Sequence, residues 1–380
     1  MNWVAWKMLI GDRAKYFGLV FGIGFACLLM AHQMSIFAGI MRRTGGRIVD
    51  VREAEIWVTQ PNVLYVEELK PMPDTYLYRV RGVPGVAWAV PYMKNQIQIR
   101  FQDGTFRNVM MIGIDDATLV GAPTTMYAGT LADLRKPDAF IVDKAGYTFL
   151  WPEDKGVYRL DKVVEINDHR AVLVGVCDSL PTFQTLPVLY TRYSQSRAYA
   201  PPERNQLSAV LAHAEDGVNP REVCKRIEEQ TGLAALDDEG LYWKTIQYYM
   251  KSTGIPINFG ITIFLGFFVG AAIAGQTFYL FVIENLKQFG SLKAMGLSNW
   301  RIVGMIMLQV VIVSIIGYAV GMGLCAAFFE GTKHQVHLAG FYLMWQIGAI
   351  VAVAVSVIAV CASFLAMRKV LLLEPAVVFK

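Results

Sequence analysis

The chain has 380 residues, 17% of them charged and 54% apolar, with a formal net charge of +4. With a positive mean hydropathy, that is the composition of a membrane protein long enough to carry a second, water-facing folding unit. It argues against a nucleic-acid binder, because the charge is modest and no basic stripe interleaved with aromatics runs along the chain.

Residues 1–15 mix Trp3, Trp6, Met8 and Leu9 with Lys7, Arg13 and Lys15, the pattern of a cytoplasmic amphipathic helix at the membrane surface. The apolar run 16–40 follows, too long for a signal-peptide core and without a small-x-small cleavage site. Three more runs, 258–283, 302–329 and 341–367, likewise contain no Asp, Glu, Lys or Arg. At about 1.5 Å per residue, each can cross the hydrocarbon of a bilayer. An even number of spans puts both termini on one side. Lys7, Arg13 and Lys15, then Lys287, Lys293 and Arg301, then Arg368 and Lys369 of the tail 368–380 all fall there, which makes that side cytoplasmic. Arg42, Arg43 and Arg47 face the other way, but they open a long domain whose charges count little in orientation.

Residues 41–257 are enough to bury a core of their own and read as mixed α/β. Gln96 to Phe101, Asp103-Gly104 and Thr105 to Ile112 predict a β-hairpin; Val163 to Ile166, Asn167-Asp168 and Ala171 to Val176 predict a second. A strand at Leu207 to His213, a helix opened by Asn219-Pro220 and closed by Gly232, and an apolar stretch Leu233 to Leu236 suggest a small βαβ unit. The Pro-rich stretches near Pro71 and Pro201 read as loops or lobe junctions, and Leu241 to Met250 as a helix leading into the second span. The expected fold class is an α-helical membrane protein with four transmembrane helices and a large mixed α/β extracytoplasmic domain inserted between helices 1 and 2. A short external loop, 330–340, joins the last two spans.

The stretch 284–301, ENLKQFGSLKAMGLSNWR, is the compact polar interruption between the second and third spans. Leu286, Phe289 and Leu297 fall near one side of a helix and Lys287, Gln288 and Ser291 on another, so the loop offers a small apolar grip with a polar rim. Gly296 suits a helix stop and Ser298 a fresh start. The plain alternative is an ordinary cytosolic hairpin.

The chain carries few marks of chemistry of its own. There is no GxxxxGK[ST], so nothing obvious cradles ATP, and neither HExxH nor GxSxG occurs. His334 and His337 are the one close histidine pair, with only Glu330 in reach, which is thin for a metal. The spans carry no carboxylate for ion-coupled transport and no filter-like run for a channel. Gln33, Gln276, Gln309 and Gln346 are best read as bonds between helices, and Gly18 with Gly22, Gly266 with Gly270, and Gly317 with Gly321 as GxxxG motifs for close helix or dimer packing. Of five cysteines, Cys27, Cys325 and Cys361 lie in apolar runs; Cys177 and Cys224 lie outside them, at a spacing that does not argue for a disulfide. Trp57, Tyr65, Trp88, Trp151, Phe183 and Trp243 are read as core or interface aromatics rather than a lipid groove.

One span, a large external domain, three further spans and the loop carrying Glu284, Leu286, Lys287, Phe289, Gly290, Leu292, Lys293, Ala294 and Gly296 resemble the permeases of the FtsX/MacB type, the type VII ABC transporter architecture. Glu374-Pro375-Ala376 resembles that family's acidic-Pro-Ala ending, and GIGFACLLMAHQMSIF in the first span is similar to the DevC branch. The resemblance implies a non-catalytic permease of the bacterial inner membrane, its large domain in the periplasm, working as a homodimer. It implies a separate ABC ATPase subunit that holds ATP and Mg, docks on the loop and drives periplasmic movement, called mechanotransmission. It also implies a periplasmic membrane-fusion adaptor, a TolC-like outer-membrane channel, contact with membrane lipids, and a lipid, glycolipid or other hydrophobic cargo for export. A lipoprotein-extracting permease of the LolC/LolE kind and an FtsX-like regulator of a cell-wall hydrolase are the alternatives. This chain departs from MacB in carrying no ATPase of its own.

Overall fold

The computed structural model describes residues 2–201, 206–333, 338 and 341–371. In chain order the helices are α1 (Asn2–Gly11), α2 (Arg13–Thr44), α3 (Gly46–Asp50), α4 (Thr75–Arg81), α5 (Lys144–Leu150), α6 (Tyr193–Tyr199), α7 (Pro220–Thr231), α8 (Asp238–Ser252), α9 (Ile255–Glu284), α10 (Leu286–Ala294), α11 (Asn299–Thr332) and α12 (Trp345–Leu371). The strands are β1 (Ile56–Thr59), β2 (Val86–Arg100), β3 (Phe106–Ile114), β4 (Met126–Ala128), β5 (Ala139–Asp143), β6 (Val163–Ile166), β7 (His169–Cys177), β8 (Val188–Arg192), β9 (Ala209–Ala214) and β10 (Ala234–Asp237). Two compact units result: one of Met1–Ala38, Gly254–Thr332 and Phe341–Lys380, the other of Gly39–Thr253 with Lys333–Gly340.

In the first unit, α2, α9, α11 and the stretch Trp345–Phe364 of α12 are long and apolar enough to cross a membrane. Hydrocarbon offers no partner to backbone amides, so such runs close their hydrogen bonds internally as helices. Residues Phe341 to Met344 precede α12 without helical structure, so that helix starts later than its apolar run. Glycine sets how closely the helices approach. A Cβ added at Gly321 would lie 2.5 Å from the Gly24 carbonyl oxygen, and one at Gly317 would lie 2.9 Å from Ile23. On the other side of α2, a Cβ at Gly270 would meet that of Ala26 at 2.2 Å, and one at Gly22 would meet Ile273 at 2.5 Å. A Cβ at Gly266 would lie tight against Leu29, at 3.3 Å, and one at Gly18 would make ordinary contact with Thr277, at 3.8 Å. α2 is thus held between α9 and α11, and the motif glycines serve packing inside one chain. α1 packs on α11 through buried Ala5 and Leu9, where Gln309 donates from Nε2 to the Ala5 carbonyl at 2.8 Å. Trp3, Trp6 and Ile10 of α1 stay exposed.

The second unit is built on a ten-stranded sheet in the order β10-β1-β9-β2-β3-β8-β5-β7-β4, with β6 against β2 and β7. β2 is its spine: Val86 to Tyr92 pair antiparallel with β9, and Met93 to Arg100 pair with β3. Asn167 and Asp168 turn between β6 and β7 with φ of 49° and 63°, the left-handed pair that a two-residue hairpin requires. The βαβ expectation needs one change. β1 lies antiparallel to both β9 and β10, so the parallel pair flanking α7 is split by a strand from the start of the domain. α7 itself starts under an Asn219 side-chain cap and ends at Gly232, whose φ is 72°.

Alternating side chains feed two cores. Ile56, Val58, Ala89 and Met93 point to the face covered by α4 and α7, with Leu77, Val80, Val223 and Ile227. Trp57, Val90, Tyr92 and Leu211 point to the opposite face with Ile48 of α3, Val51 just after it and Leu241 of α8. Both faces are buried, which explains the long apolar stretches in these strands. Cys177 and Cys224 lie in these different cores as free thiols.

Candidate functional site

α10 follows α9 after a single residue. Asn285 donates its side-chain amide to the Phe281 carbonyl at 2.7 Å, and its backbone N–H donates there too, at 3.2 Å. Phe289 N–H donates to the Asn285 carbonyl at 3.0 Å, so Asn285 closes one helix and opens the next. The far end is a Schellman stop. Leu297 N–H donates to Leu292 O at 3.1 Å, Gly296 N–H donates to Lys293 O at 3.0 Å, and Gly296 takes φ 91°. Arg301 N–H then donates to the Ser298 carbonyl at 3.0 Å as α11 begins.

The expected apolar grip needs revision here. Phe289 is 0% exposed and Gly290 is buried, whereas Leu286, Leu292, Lys293 and Leu297 are half-buried. Phe289, the largest apolar side chain of this nine-residue helix, is buried within its own chain, so it anchors α10 and offers no surface to a partner. The outward face is Lys287, Gln288, Ser291 and Ala294, continued by Met295, Gly296 and a Trp300 that is 84% exposed. Met295 and Trp300 are the apolar part of that surface; their order in the sequence carried no periodic signal. Glu284 pairs with Lys15, which also pairs with Asp12, so this expected docking residue ties the start of α2 to the end of α9.

In the second unit two helices continue the chain of membrane helices, and each is gripped by buried polar groups. α3 follows α2 after Gly45, where an added Cβ would lie 2.3 Å from the Tyr242 ring of α8. Arg47 of α3 is 1% exposed; it donates to Tyr190 Oη at 3.0 Å, to Ser179 Oγ at 2.9 Å and to the Leu180 carbonyl, and pairs with Asp50 at 2.7 Å. Asp50 in turn accepts from Ser179 Oγ and Leu180 N–H, both at 3.0 Å. α8 is held through the 3₁₀ turn Val66–Glu68: Val66 N–H donates to the buried Thr245 Oγ1 at 3.2 Å, and Tyr65 stacks on Tyr248 with ring centroids 4.2 Å apart. The same turn is fixed from the sheet by Lys94, whose ammonium donates to the Val66 carbonyl at 3.2 Å and pairs with Glu67. Burial holds that ammonium below its usual range, against the pull of Glu67.

Most of the aromatics have packing roles. Trp57 and Trp151 are buried, Trp88 stacks on His213, and Phe183 packs on Tyr249 at 4.9 Å, while Trp243 is 53% exposed. Among the described residues no group of three His, Cys, Asp or Glu side chains could hold a metal ion. His334 and His337, and the Glu374-Pro375-Ala376 ending, lie outside the described residues.

Four apolar helices with a large mixed α/β domain between the first and second define a multi-pass membrane protein. Residues 260–375 match the FtsX-like permease C-terminal family, so that this stretch of the chain is similar to FtsX-like permeases. No curated protein matches the chain. Among solved structures it is similar to the extracellular domain of the noncanonic ABC-type transporter YknZ from Gram-positive bacteria, at 15% identity over 48% of this chain and 98% of that one, with a TM-score of 0.35. It is also similar to the periplasmic region of MacB from Actinobacillus actinomycetemcomitans, at 12% identity over 54% and 96%, with a TM-score of 0.39. Likeness this distant says nothing about cargo or partner.

Proposed function

We propose that this chain is the membrane subunit of an ABC-type transporter, energised by a separate ATPase that docks on the outward face of α10. FtsX-like permeases are generally non-catalytic transporter subunits. The observation that carries the docking reading is α10 itself: a short helix bounded by Asn285 and a Schellman stop, with Phe289 buried and Lys287, Gln288, Ser291 and Met295 outward. A helix fixed at both ends and anchored on one face moves as a unit with α9. α9 continues from α8 after two residues, and α2 runs on into α3 after one. Movement of the spans therefore reaches the gripped helices of the α/β domain along the chain, which is mechanotransmission in structural terms. A second copy of the chain, a periplasmic adaptor, a TolC-like outer-membrane channel and a lipid, glycolipid or other hydrophobic cargo complete this reading. They rest on the resemblance, as does placing the domain in the periplasm of an inner-membrane protein.

The test reconstitutes the full chain with its co-purifying ATPase. Lys287→Glu combined with Met295→Asp is expected to lower permease-dependent ATPase activity about tenfold or more, the loss expected when contacts worth ~1.5 kcal/mol or more are removed from an interface. Unchanged stimulation in a folded double variant would show that the ATPase docks elsewhere.

A further inference from the structure

We propose that the ion pair between Lys15 of α2 and Glu284 of α9 is a strut that couples the two helices, so that a push on α10 moves α2 together with α9. This deepens the reading of α10 as the docking helix and rests on it. It also sets Glu284 apart from the residues that hold the ATPase.

Packing between α2 and α9 loosens toward the start of α2 and the end of α9. A Cβ at Gly270 would meet that of Ala26 at 2.2 Å and one at Gly22 would meet Ile273 at 2.5 Å, but one at Gly18 finds Thr277 only at 3.8 Å. Further along lies a cavity of about 680 Å³, lined by Trp3, Lys7 and Gly11 of α1 and by Lys15, Glu284 and Gln288 among others. Close packing gives way there. Among the described residues, Lys15 with Glu284 is the ion pair that joins α2 to α9.

The two charges are placed for each other rather than for their own helices. Lys15 lies in the first turn of α2 and Glu284 is the last residue of α9. A helix dipole disfavours a cation at its start and an anion at its end. Asp12 offsets the first and steadies Lys15, because its Oδ1 accepts the Lys15 backbone N–H at 3.2 Å and its Oδ2 accepts from Nζ. The ammonium is thus held at the start of α2 and shared with a carboxylate on α9, one residue before the joint at Asn285. The paired side chains are 23% and 54% exposed, and an ion pair this open to water adds little to stability. Its effect lies in which segments move together. α9 follows α10 through the chain, whereas α2 follows at this end through Lys15. Without the strut, α2 and the α3 that continues it receive the push only through the packing around Gly22 and Gly270.

The full chain, in nanodiscs with its co-purifying ATPase, is measured for ATPase affinity and for permease-stimulated ATP hydrolysis. Glu284→Gln is expected to leave affinity and melting unchanged and to lower stimulation about fivefold. The exchange Lys15→Glu with Glu284→Lys, made with Asp12→Asn so that two carboxylates do not meet, should restore it. Lys15→Cys with Glu284→Cys, in a Cys361→Ser background, should regain stimulation when a bis-methanethiosulfonate reagent bridges the thiols and lose it again on reduction. Lys287→Glu with Met295→Asp tells the two readings apart. Affinity lost in that variant, with stimulation untouched by Glu284→Gln, would overturn the strut alone; affinity kept in it would overturn the docking reading, whatever Glu284→Gln does. The strut also fails if Glu284→Gln weakens ATPase binding as much as it lowers stimulation, or if neither the exchange nor the bridge restores the rate in folded protein.

Discussion

Asp143 caps α5 by accepting Gly146 N–H at 3.0 Å and ties it to β8 by accepting Val188 N–H at 2.7 Å. Burial pushes its carboxyl up from 3.8 to about 6, against the pull of those two hydrogen bonds and of Arg47. The folded value lies above the unfolded one, so the ionised form is the disfavoured one. The site's contribution to stability is fullest below pH 4 and is lost as pH rises through 6, a swing of roughly 3 kcal/mol. Asp143→Asn keeps an acceptor for the cap and cannot ionise. Denaturant unfolding followed by tryptophan fluorescence should therefore show the variant gaining on wild type between pH 4 and 7, and a constant difference would refute the assignment. Arg47 is the other buried residue with a separable effect. Arg47→Met leaves Asp50 with its charge uncompensated and is expected to cost about 3–5 kcal/mol, visible as a lower thermal midpoint. Neither effect was visible in sequence. Arg47 read as one of three arginines opening a long domain, because nothing in its neighbourhood names Ser179 or Tyr190 as partners 132 and 143 positions away.

At the scale of elements, the glycine motifs of the spans separate packing within a chain from packing between chains. Gly321 and Gly270 are filled by α2, so Gly321→Val or Gly270→Val is expected to destabilise the membrane unit itself by about 1–3 kcal/mol. A melting shift in detergent at a protein concentration too low for dimers would confirm this; loss of dimer alone, with melting unchanged, would return the motifs to a dimer role. α10 is separable in the same manner. Phe289→Ala should cost about 3–5 kcal/mol of stability through the cavity it leaves, whereas Lys287→Glu with Met295→Asp should leave melting unchanged. The loop's stop and restart were legible because Gly296 and Ser298 act on backbone groups a few residues away, whereas the role of Asn285 in closing α9 was not. Which side of the helix faces inward was not, since the period permits either the Phe289 face or the Met295 face to be covered, and only packing in the folded chain decides.

For the whole molecule the expected orientation is open to a direct measurement. Gly104 has nothing within 4 Å of an added Cβ, and its φ of 85° makes a substitution cost about 1–2 kcal/mol of local strain on an exposed turn. In a Cys361→Ser background, which removes the one exposed native thiol among those present, Gly104→Cys should react with an impermeant maleimide added from outside. Lys287→Cys should react only after permeabilisation. The reverse pattern would invert the topology.

Composition and hydropathy by themselves determined the class of this protein: charge-free runs must close their backbone hydrogen bonds as helices in lipid, and a long charged stretch between two of them must fold in water. Local turn chemistry determined the β6–β7 hairpin and the ends of α7, because those signals act within a few residues. Tertiary structure alone decided that β1 splits the βαβ unit, that one face of the sheet receives both α3 and α8, that the membrane glycines are spent on α2, and that Phe289 turns inward. Each of these depends on which distant surface fills a space, and that choice is made by packing between segments rather than by the pattern within one.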